Sequence, residues 1–67
     1  MPDQIRELIK RLKQSGFAEI GGAGKGSHRK FTHPNYPGAV TLSGNISDDA
    51  KHYQIRQVNH AIEVVKS

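Results

Sequence analysis

The residues best equipped for chemistry sit together between Lys25 and Lys30. A histidine, His28, follows Gly26-Ser27 and is flanked by Lys25, Arg29 and Lys30. An imidazole titrates near neutrality, so it can take a proton from a ribose 2′-OH or return one to a leaving oxygen. Fixed cations beside it would stabilise the charge that gathers on a phosphorane. Such acid–base catalysis typically contributes about 10²–10⁴-fold. The pattern fits phosphodiester cleavage, with His28 as general base or acid and Lys25, Arg29 or Lys30 on the phosphate. No second proton-transfer group stands out, so His28 would serve both steps or water would complete one. The plain alternative is a surface histidine at the start of a strand.

The run Gly21-Gly22-Ala23-Gly24-Lys25-Gly26 invites comparison with phosphate-binding loops and fails it. A P-loop runs Gly-Lys-Ser/Thr into a helix, whereas Gly24-Lys25 is followed by Gly26 and then a strand pattern. The dinucleotide fingerprint needs a βαβ unit that this chain cannot hold. The run reads as a connector between strands. In a second reading its N–H groups, with Lys25, Gly26 and Ser27, grip an RNA phosphate. The four histidines make no metal set. His28 and His33 have opposite strand parity, and His52 and His60 are eight apart rather than four. No metal and no cofactor is expected.

The elements that must position His28 follow from periodicity. From Asp3 to Ser15, the residues Ile5, Leu8, Ile9 and Leu12 form one helical stripe, with Asp3 as the expected N-cap and Gly16 as the left-handed stop. Arg6, Glu7, Lys10, Arg11 and Lys13 fill its other face. Phe17–Ile20 is a short strand. His28–His33 alternates, with Phe31 on one side and His28, Lys30 and Thr32 on the other. Pro34-Asn35-Tyr36-Pro37-Gly38 reads as a five-residue hairpin loop, and Ala39–Ser43 resumes the alternation with Val40 and Leu42 inward. A second helix is expected from about Asp48 to Lys66, its stripe formed by Ile55, Val58, Ile62 and Val65 with Tyr53 and Ala61 beside it. Lys51, Gln54, Arg56 and Gln57 read as its polar face.

The order predicts an α+β fold, α-β-β-β-α, with both helices on one face of a three-stranded antiparallel sheet. The other face would be open, and pleating would send His28, Lys30 and Thr41 to it. Sixty-seven residues fit one domain, residues 1–67, with a lean core drawn from 34% hydrophobic residues. The absence of cysteine excludes disulfide staples and thiolate metal sites. No stretch reaches transmembrane length and no basic-then-apolar leader opens the chain, so a cytoplasmic protein without membrane contact is expected. A net charge of +4 favours a polyanionic partner. With two tyrosines, two phenylalanines and no tryptophan, the chain lacks the stacking platforms of single-strand binders.

Three stretches carry a family resemblance: "IRELIKRLKQSG" followed by Phe17, Gly26-Ser27-His28, and "DDAKHYQIRQVNHAIE" from Asp48 to Glu63. In this order and spacing they resemble the HicA-family toxins of toxin–antitoxin systems, over nearly the whole chain. The resemblance implies a fold similar to a double-stranded-RNA-binding domain. It also implies a ribosome-independent mRNA endonuclease whose catalytic histidine is His28, and a HicB-like antitoxin that covers or displaces the same surface. A non-catalytic RNA-binding module on this fold is the alternative, and a pure protein-interaction domain is a third.

Overall fold

A computed structural model describes residues 3–20 and 28–66. The order is α1 (Ile5–Gln14), β1 (Ala18–Ile20), β2 (Arg29–His33), β3 (Tyr36–Leu42) and α2 (His52–Lys66). The strands form one antiparallel sheet in the order β1-β2-β3. This is the expected α+β arrangement with an open three-stranded sheet. Leu8 and Leu12 of α1, Phe31, Val40 and Leu42 of the sheet, and Val58 and Ala61 of α2 make one buried cluster with Phe17. Burying such side chains contributes about 1.5–3 kcal/mol each, so a core this small leaves little to spare.

α1 buries Ile5, Leu8 and Leu12, and it stops where Gly16 takes φ +96°. Its start differs from expectation. The N-cap is Gln4, without a side-chain cap, rather than Asp3. Asp3 instead receives Arg11 Nη1 at 3.4 Å. The first free N–H groups of the helix are satisfied from a distant loop: Ile5 N–H donates to Asp48 O at 2.9 Å and Arg6 N–H to Ile46 O at 3.0 Å. Gln4 also bridges Asp49, and Ala50 N–H donates to Asp3 O at 2.7 Å.

Residues 46–50 are thereby occupied in capping α1, and α2 begins at His52 rather than at Asp48. The stop-start is set by Gln54, which is only 2% exposed. Its Oε1 accepts the Lys51 N–H at 2.9 Å and its Nε2 donates to Ser43 O at 3.0 Å. The first bond is one half of a capping box, made by the third helical residue. The second pins the helix start to the end of β3. Gln54 is therefore a buried tie and not part of an outward polar face. Tyr53, expected at the core or rim, is 58% exposed.

The hairpin is tighter than the five-residue loop expected. Only Pro34 and Asn35 make the turn, and β3 runs on through Pro37 and Gly38. Phe31 pairs with Val40 but His33 pairs with Tyr36, so Thr32 faces Pro37, Gly38 and Ala39 together across an irregular bulge. Gly38 adopts φ +82° there. An edge-strand bulge is where a proline without an N–H and a left-handed glycine are tolerated.

Candidate nucleic-acid interface

Register decides which side chains share the uncovered face. Lys30 pairs with Ile20 on one side and with Thr41 on the other, and Thr32 pairs with Ala18. Phe31, paired with Glu19 and Val40, points to the helices. The row Ile20–Lys30–Thr41 thus crosses the open face, with all three residues exposed and Ile20 at 43%. His28 is exposed and directly precedes β2. It shares the parity of Lys30, two residues or about 6–7 Å along an extended chain.

The basic candidates do not stay together. Lys30 is on the open face, whereas Arg29 pairs with Leu42 on the helix side, half-buried. Its Nη1 meets Glu19 Oε2 at 3.0 Å. Lys25, Gly26 and Ser27 lie outside the described residues. Glu19 could not be recognised as a partner from sequence, because a diagonal pair between β1 and β2 emerges only once the register is known.

His33 occupies the opposite end of β2. Its ring packs on Phe17 with centroids 5.1 Å apart, and its Nδ1 accepts the Asn35 N–H at 2.9 Å. Those contacts make it part of the hairpin tip. Among the described residues, no group of three or more His, Cys, Asp or Glu side chains could hold a metal. A polar groove on the far side, between the C-terminal halves of the helices, is lined by Arg11, Gln14, Ser15, Asn59, Ile62 and Lys66. Arg11 crosses it to Asn59 Oδ1 and ties the helices together.

A family model described as the HicA toxin of bacterial toxin–antitoxin systems matches residues 5–64. The chain belongs to the HicA toxin family. The matched span includes α1, the whole sheet and all but the last two residues of α2. No curated protein and no solved structure matches the chain. Membership in the HicA family makes it the toxin side of a toxin–antitoxin pair and implies an antitoxin partner. Among the described residues, no helix of this HicA-family chain is long and apolar enough to cross a membrane.

Proposed function

We propose that this HicA-family chain is an mRNA endoribonuclease that acts in the cytoplasm, with His28 as its acid–base group. The observation that supports the reading is that exposed His28 directly precedes β2, two residues before Lys30, which the register puts on the open face of the sheet, in a family of toxins. His28 removes the proton of a ribose 2′-OH, the oxygen attacks the adjacent phosphorus, and the 5′-oxygen of the next nucleotide leaves. The proton returns to that oxygen from the imidazolium or from water. The products are a 2′,3′-cyclic phosphate and a 5′-hydroxyl. Lys30 stabilises charge on the non-bridging oxygens, and Lys25, Gly26 and Ser27 of the preceding segment contact the phosphate. No metal takes part, and a HicB-like antitoxin neutralises the chain by covering this face.

The test is a defined mRNA incubated in EDTA with the parent chain and with His28→Ala, followed by mapping of fragment ends. Cyclic-phosphate ends from the parent, reduced about 10²–10⁴-fold by the substitution, are expected. Equal cleavage by both proteins overturns the assignment of His28. Intact RNA bound equally by both would make the chain a non-catalytic RNA-binding module.

A further inference from the structure

Arg29 adjoins His28, yet its guanidinium is turned away from the open face and engaged by Glu19 at 3.0 Å. We propose that the Glu19–Arg29 ion pair is a positioning device that fixes His28, and that Arg29 is not itself a phosphate contact. The inference rests on the reading of His28 given above.

Three observations meet at this pair. Glu19 precedes the last residue of β1, and Arg29 is the first residue of β2. β1 therefore ends one residue after Glu19, and β2 begins at Arg29 itself. The strands at this root are held by short pairing, since β1 has only three residues and its last partner is Ile20↔Lys30. The pair adds a side-chain tie one residue from His28 and across the full width between the two strands. Finally, Arg29 lies beside buried Leu42, so its stem has apolar surface to pack on while its head reaches Glu19.

Both side chains keep partial exposure, 39% for Arg29 and 27% for Glu19. Exposed pairs of this kind contribute little to stability and are screened by salt. Positional effects on catalysis are much larger, because a displacement of about 1 Å can cost up to 10²-fold in rate. A weak tie can therefore matter more to turnover than to folding. A competing role for Glu19 is protection of the β1 edge by an inward-pointing charge, which predicts self-association when it is lost and no effect on His28.

The experiment compares the full parent chain with Glu19→Gln, Arg29→Glu and the swapped pair Glu19→Arg/Arg29→Glu. The readouts are NMR of the His28 amide and ring, the thermal midpoint, and RNA-cleavage kinetics with His28→Ala as the blank. Expected are a shifted, faster-exchanging His28 amide in both single variants and recovery in the swapped pair. In cleavage, kcat should fall about tenfold for Glu19→Gln with KM not raised, and the swapped pair should regain most of it. A direct phosphate contact by Arg29 makes the opposite forecast. Glu19→Gln would then tighten RNA binding, and the swap would rescue nothing. An unchanged His28 signal in Glu19→Gln overturns the proposal, as does a changed signal with unchanged kcat. Should the parent not cleave RNA, the nuclease reading fails, and the NMR comparison alone still decides whether the pair holds His28.

Discussion

Alternation along β2 was enough to assign Lys30 and Phe31 to opposite faces, because a strand rigidly sends neighbours apart. It was not enough for Arg29, whose role depends on a carboxylate that only the strand register brings near. Gln54 is the sharper lesson. Glutamine on a helix reads as solvent-facing, and nothing in its neighbours signals that two backbone groups need it. Its amide is committed at both ends, to the Lys51 N–H and the Ser43 carbonyl. Gln54→Leu keeps the volume and removes two part-buried hydrogen bonds, to the Lys51 N–H and the Ser43 carbonyl, so a loss of about 1–3 kcal/mol is expected. In a domain of this size each kcal/mol lowers the thermal midpoint by about 4–8 °C. Gln54→Glu keeps the acceptor for Lys51 but turns an oxygen on Ser43 O, and should fare no better. Calorimetry showing either variant as stable as the parent would refute this account.

At the scale of elements, helix existence and strand order were legible in the sequence, while three boundaries were not. The second helix starts late because the acidic residues before it serve α1. The hairpin turn is short because the Pro37-Gly38 pair bends an edge strand instead of closing a loop. Proline and glycine punctuate both structures, and composition does not distinguish a bulge from a turn. Gly38 offers a clean test. A Cβ there would meet nothing within 4 Å, so only its φ of +82° resists a side chain. Gly38→Ala should cost about 1 kcal/mol through backbone strain alone. A D-alanine installed by chemical synthesis fits that φ and should be neutral or stabilising by up to about 1 kcal/mol. Equal destabilisation by both enantiomers would mean that space, and not handedness, limits the site.

At the scale of the molecule, among the described residues, two helices and a thin core occupy one side of the sheet and no element packs on the other. That polarity was foreseeable from the apolar stripes, and it gives the RNA reading a salt signature. With about three to four phosphates neutralised on single-stranded RNA, log K should fall against log salt with a slope near −2 to −3. Lys30→Ala should reduce that slope by about 0.7, one phosphate's worth, without altering the fold. Fluorescence titrations giving the same slope for both proteins would remove Lys30 from the RNA surface.

The dependence of α1 on the carbonyls of Ile46 and Asp48 has a consequence for how the chain is made. The first helix to be synthesised has its N-terminus completed only by residues translated about forty positions later, Ile46 and Asp48. Local pairing cannot substitute, since Gln4 supplies no side-chain cap. Closure waits until residue 50 has cleared the ribosome, and the contacts that complete it are among the most sequence-distant in the fold. A nascent chain truncated before that point carries His28 and Lys30 but lacks the end of the loop that seats α1 and all of α2.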